Sequence, residues 1–108
     1  MPPELQPPVS TYFEARNAHD GPRTAALFTE DGHVHDERND HRGRDAIQRW
    51  AEETSRQYGM VQTPKAVREE GGATVVTAEV AGAFPGSPIE LTFRFVVEGE
   101  RIRELGIG

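Results

Sequence analysis

From Ile89 to Val97 the chain alternates without a break. Ile89, Leu91, Phe93, Phe95 and Val97 fall on one side of an extended segment, and Glu90, Thr92, Arg94 and Val96 on the other. A period of two is the pattern of a strand with one face on a core, and it predicts a strand over Ile89 to Glu98. The same period predicts strands over Thr63 to Glu69, Ala73 to Phe84 and Arg101 to Ile107, with Gly71-Gly72, PGSP and EGE as the turns between them. Nearer the start the period is helical. Val9, Tyr12, Phe13 and Arg16 share one stripe of a helix predicted over Val9 to Asp20, with Thr11 and Glu14 at capping-box spacing. Gly21 breaks that helix, and Pro22 suits the first position of a short second helix ending near Phe28. TEDG then reads as a turn, and His33 to Glu37 as a strand with Val34 and Asp36 on one face and His33 and His35 on the other. The polar stretch RNDHRGR leads into a third helix. Its stripe is Ala46, Ile47, Trp50, Ala51, Thr54 and Tyr58, Asp45 complements the helix dipole in its first turn, and Gly59 can end it.

Helices followed by a meander of strands predict an α+β fold. The expected architecture is a cone-shaped, curved antiparallel β-sheet with the three helices of the N-terminal half packed on its concave face. The strand at His33 to Glu37 should join that sheet although it precedes the third helix. Val34 must then face inward, because a one-residue slip would exchange every side chain between the two faces. Residues 1–8 read as a flexible, proline-rich lead-in, and residues 9–108 as a single domain.

The chain has 108 residues, enough for one core and one pocket. A formal charge of −6 and a pI near 5.2 argue against nucleic acid and anionic membranes as partners, since both select a basic surface. Without cysteine there is no disulfide framework, no thiolate metal site and no thiol nucleophile. The first ten residues, MPPELQPPVS, contain no apolar run, so neither a signal peptide nor a membrane span is expected there, and a cytoplasmic protein fits.

The segments YFEARNAHDGPRTAALFTEDGHVHDE, then RGRDAIQRWAEE, then LTFRFVVEGERIREL resemble the nuclear transport factor 2-like superfamily, and within it the SnoaL-like polyketide cyclases and ketosteroid isomerases. The resemblance covers the chain from about Val9 to its end. It implies a cone with an open mouth, used across the superfamily for isomerisation, cyclisation, dehydration, epoxide hydrolysis and plain binding. In ketosteroid isomerases a tyrosine of the first helix, an aspartate of the first strand and an acid on a later strand surround the substrate. Along this sequence Tyr12 matches the tyrosine and Asp36 the aspartate base. The later acid has no counterpart, its position falling on Thr92 or Phe93.

Asp36 shares its strand face with Val34, so it should point into the cone. A desolvated carboxylate there suits a proton shuttle near neutral pH; the alternative is a structural aspartate held by Arg16 or by a backbone amide. Tyr12 and Arg16 stand one helical turn apart. Tyr12 can donate to a developing oxyanion or simply pack, and Arg16 can hold Asp36 or bind an anionic substrate group. Trp50, Phe28 and Phe93, with Val34, are the expected apolar wall, chiefly core residues, some also touching ligand. His33 and His35 with Asp40 and His41 raise a metal reading, but two strand-alternate histidines are only a pair where three or four converging ligands are needed. Solvated or dimer-facing histidines are expected instead, and no metal or other cofactor. No serine sits in a nucleophile elbow.

The sequence thus predicts a small-molecule pocket protein, expected to be a homodimer through the outer face carrying Thr92, Arg94 and Val96. Its ligand is an apolar carbonyl compound. Asp36 and Tyr12 are the catalytic candidates; Arg16, Phe28, Val34, Trp50 and Phe93 are the ligand-contacting ones. The alternative function is a non-catalytic ligand-binding or dimerisation module of the same fold.

Overall fold

In the computed structural model, which describes residues 3–108, the elements run α1 (Val9–Asn17), α2 (Gly21–Ala26), β1 (Phe28–Asp36), β2 (Asn39–Arg42), α3 (Arg44–Tyr58), β3 (Val61–Glu70), β4 (Ala73–Ala81), β5 (Ile89–Glu98) and β6 (Arg101–Ile107). The six strands form one curved, unclosed sheet in the order β2-β1-β6-β5-β4-β3, with the helices on its concave side. The expected all-antiparallel sheet needs one correction. β1 pairs with β6 in parallel, so the sheet is mixed. The chain leaves β1 for β2 and α3 and returns through β3 to β5. β6 then enters beside β1 running the same way, as a strand does after a crossover.

The two last strands begin and end where the alternation places them. Within β5, Phe93 and Phe95 are fully buried, whereas Ile89 and Val97 at its ends are exposed; the register shift between Val96 and Val97 ends the alternation. On the outer face Thr92 and Arg94 are exposed and Val96 is half-buried. Val34 is fully buried and pairs with Leu105, which in turn pairs with Phe95, so one apolar row crosses β1, β6 and β5.

The helical half departs more from expectation. α1 stops at Asn17, His19 takes a positive φ of 56°, and Asp20 caps α2 by accepting from the Arg23 amide. Gly21 therefore opens α2 rather than ending α1. A Cβ there would lie 2.5 Å from Glu52 Cγ, so the glycine is where α2 and α3 come closest. The N-cap of α1 is Pro8 with no side-chain cap, not the Thr11–Glu14 box. α2 ends at Ala26, and TEDG is strand rather than turn: β1 starts at Phe28, although its pairing with β6 is interrupted between Phe28 and His33. The stretch Asn39–Arg42 is itself a strand, β2, paired with β1. α3 runs to Tyr58 and ends at Gly59, whose φ of 56° is the left-handed cap the sequence predicts. Leu5, in the proline-rich lead-in, packs against the core.

Candidate active site

α1 fixes the back of the site through two different kinds of contact. Tyr12 and Phe13 enter the core, where Tyr12 meets Phe95 edge-on at 5.3 Å between ring centroids and Phe13 meets Phe93 at 5.2 Å. At the C-terminal end, Asn17 pins the helix to β3, donating to the Gln62 carbonyl at 2.8 Å and accepting from the Gln62 amide at 2.7 Å. Arg16 lies between these anchors and is 4% exposed. Its Nη1 donates to the Ala51 carbonyl at 3.0 Å and to Ser55 Oγ at 3.3 Å, and its Nη2 to Thr54 Oγ1 at 2.9 Å. The guanidinium carbon stands 4.7 Å from the centre of the Trp50 ring, a cation–π contact.

From the other side Trp50 Nε1 donates to Asp36 Oδ2 at 3.0 Å. The indole thus links the two charged groups, its face taking the guanidinium and its edge the carboxylate. Arg16 and Asp36 form no ion pair among the described residues. The partner expected for a structural Asp36, Arg16 or a backbone amide, is replaced by the tryptophan side chain. No hydrogen bond to Oδ1 of Asp36 is formed among the described residues.

These groups face a cavity of about 440 Å³ between the helices and the inner sheet face. Arg16, Asp36, Trp50 and Phe93 line it, together with Val80, Leu91, Ile107, Met60 and Phe84 as apolar wall and Thr54, Tyr58 and Gln62 as polar neighbours. Trp50 and Phe93 stand on the wall and do not fill the space. Tyr12, Phe28 and Val34 are absent from the lining: all three are fully buried in the core. Among the described residues the Tyr12 hydroxyl is buried without a well-formed hydrogen bond, although it lies beside the Arg16 guanidinium. Burial pushes its pKa up to about 12, the Arg16 charge opposing this and the Asp36 charge adding to it, so the phenol stays neutral.

The rim is polar. Glu37 and Arg38 form the two-residue turn between β1 and β2, both at positive φ (52° and 65°), and both line the cavity. Two successive non-glycine residues there are uncommon. Tyr58 Oη donates to Glu37 Oε1 at 3.2 Å, tying α3 to that turn; burial first, and then the Glu37 charge, raise the phenol's pKa. His33 and His35, alternate residues of β1 of which His35 is among the cavity-lining residues, share one oxygen of Asp40 on β2, at 2.6 and 3.0 Å. Those bonds, His35's first, hold the Asp40 carboxyl below its usual range. Among the described residues no group of three or more histidine and acidic side chains is arranged to hold a metal.

The fold is shared with known proteins. The sequence model of the SnoaL-like domain matches residues 9–105. The chain belongs to the SnoaL-like domain family. A solved Sinorhizobium meliloti protein, provisionally named a polyketide cyclase, is 35% identical to this SnoaL-like chain, with a TM-score of 0.92 over 96% of this chain and 95% of the other. A hypothetical protein of Catenulispora acidiphila with a ketosteroid isomerase-like fold, solved with trimethylamine, has a TM-score of 0.82 at 20% identity over 96% and 86% of the two chains. SalBIII, an epoxide hydrolase/cyclase-like enzyme of pyran ring formation in salinomycin, has a TM-score of 0.78 at 18% identity over 92% and 84%. At those identities the last two show the fold alone. No curated protein matches the chain. No helix of the described residues is long and apolar enough to cross a membrane.

Sequence reasoning missed Thr54, Gln62, Met60 and Phe84 as lining residues. Thr54 lies on the predicted α3 stripe one turn after Trp50, a signal for its placement but not for its contact with Arg16. Gln62 carries no signal, since it precedes the expected start of its strand.

Proposed function

We propose that this SnoaL-like protein is an enzyme acting on an apolar, carbonyl-containing small molecule, with Asp36 as the group that takes and returns a proton. The observation that carries this reading is a carboxylate on a cavity wall that is otherwise largely apolar. It is oriented through one oxygen by the Trp50 indole and has the other oxygen free of hydrogen bonds among the described residues. A general base needs that combination: fixed direction, an unshared lone pair, and space for a substrate C–H within hydrogen-bond distance. Removing a proton next to a carbonyl and returning it elsewhere is isomerisation. Capturing the carbanion on a second carbonyl is aldol-type cyclisation, and expelling a neighbouring hydroxyl is dehydration. The name of the Sinorhizobium relative supports the cyclase form.

The site has no second carboxylate on β5, where Thr92 is exposed on the outer face and Phe93 is a buried wall residue. Neutral and cationic donors reaching the cavity are therefore the groups left to hold a developing oxyanion. The test begins with native mass spectrometry of the protein from its own host, to find a retained metabolite. Turnover and melting temperature are then measured on Asp36→Asn. The variant should melt within a few degrees of the parent and bind the metabolite about as well, while turning over on the order of a hundredfold or more slower. Unchanged turnover in a folded variant would make the cavity a binding site without chemistry.

A further inference from the structure

Arg16 is a full positive charge that is 4% exposed and has no carboxylate within ion-pairing distance among the described residues. Burying a charge is costly unless it is paired, and neutral oxygens with one aromatic face return only part of that cost. The neighbours it has are all neutral: a carbonyl, two hydroxyls and the indole ring. Asp36 is not its partner, because Oδ2 of that carboxylate is taken by Trp50.

The donor inventory is also incomplete. A guanidinium carries five N–H donors in a fixed plane. Nη1 uses two and Nη2 one, while among the described residues Nε is buried without a well-formed hydrogen bond, the Tyr12 hydroxyl beside the guanidinium being unbonded as well. On a guanidinium the Nε–H and the adjacent Nη2–H are parallel donors of the kind a carboxylate accepts as a pair. Arg16 is on the cavity lining, and so is Gln62, whose side-chain Oε1 is likewise buried without a partner. Rotating that amide by half a turn exchanges its oxygen for its NH₂ without changing its shape. Two unsatisfied polar side chains on the lining of one mainly apolar cavity define the polar end of a ligand.

Building on the proton-transfer reading above, we infer that the ligand is an organic acid: an apolar body against Phe93, Leu91 and Val80, and a carboxylate received by Arg16 with Gln62 beside it. The reacting carbonyl is then a second group of the same molecule, nearer Asp36. Anion recognition and proton transfer are divided between the two charges that Trp50 links.

The test needs no turnover. Phenylacetate, 3-phenylpropanoate, cinnamate and 1-naphthylacetate are each titrated against their own primary amides, which share shape but not charge. Affinity is read by calorimetry, and the Arg16 Nε–H resonance by proton–nitrogen correlation. At least one acid should bind about tenfold or more tightly than its amide, and saturation should shift the Arg16 Nε–H signal. Arg16→Lys, which keeps the charge but loses the fork, should lower that preference several-fold. The inference is overturned if no acid exceeds its amide by twofold, a result that includes no binding at all. It is equally overturned if the Nε–H signal stays still at saturation, or if a folded Arg16→Gln variant keeps the preference. Either failure leaves the role of Asp36 standing if a neutral ketone still turns over, and a keto acid that binds with the expected preference yet does not react would sink the proton-transfer reading alone.

Discussion

Two regions meet at α1 and differ in how they hold together. Behind the cavity, Tyr12, Phe13, Phe28, Phe93 and Phe95 form a cluster of edge-on and stacked rings, every member nearly or fully buried. Around the cavity and its rim the contacts are polar: Arg16 to α3, Trp50 to Asp36, Tyr58 to Glu37, and two histidines to Asp40. The first region is dry and tolerates no missing volume. The second is directional and leaves several atoms without partners. Residues one helical turn apart, Tyr12 and Arg16, fall on opposite sides of the boundary.

The largest effect should come from breaking the aromatic side. Phe95 is fully buried against Tyr12, Phe13 and Phe93. Phe95→Ala removes a whole ring from a packed interior and should cost about 3–5 kcal/mol in chemical denaturation, with ligand selectivity retained in whatever fraction folds. A loss under about 1 kcal/mol would show that the cluster collapses onto the gap and is not the rigid support of the site.

A smaller effect tests the rim. Asp40 has a depressed pKa in the folded protein, so its contribution is present above the ordinary value of 3.8 and is lost as pH falls through the lower folded value. The parent should therefore lose melting temperature more steeply than Asp40→Asn as pH falls below the ordinary value of 3.8. The two curves should be apart at about pH 5 and converge at the acid end. Asp40 is fully exposed, so the separation should be far smaller than the Phe95 effect. Parallel curves throughout would mean that the two imidazoles contribute nothing to it.

The same contrast explains what could be read from the sequence. Apolar periodicity reports burial, and it located β5, β6, the inward turn of Val34 and the α3 stripe, all of which are set by apolar residues at fixed spacing. β2 escaped because Asn39, Asp40, His41 and Arg42 are polar and lie at a sheet edge, where strand pairing needs no apolar face. The parallel pairing of β1 with β6 escaped because it joins segments far apart in the chain, and alternation within a strand does not name its neighbour. The inward placement of Asp36, on the cavity lining, was legible from the face it shares with Val34. Its holder was not, since a tryptophan on a buried stripe reads as core and gives no sign of where its N–H points. Tyr12 and Arg16 read as one helical stripe. Only the packing of rings on one side and of α3 on the other separates them.

Tyr12→Phe tests where that boundary falls, and the smallest effect on stability is expected there. The resemblance to ketosteroid isomerases makes Tyr12 an oxyanion donor, but its ring is wholly buried, it is not on the lining, and its hydroxyl has no acceptor. A buried hydroxyl without a partner costs about 1–3 kcal/mol of desolvation, so removing it should leave the melting temperature unchanged or raise it. The ring contacts with Phe13, Phe28 and Phe95 survive the change. Turnover should also stay within about twofold if the aromatic cluster serves only as support. A tenfold or greater slowing at unchanged melting temperature would mean that the hydroxyl reaches the substrate in the bound state, as an oxyanion donor must. The line between the two regions would then pass behind Tyr12 instead of in front of it.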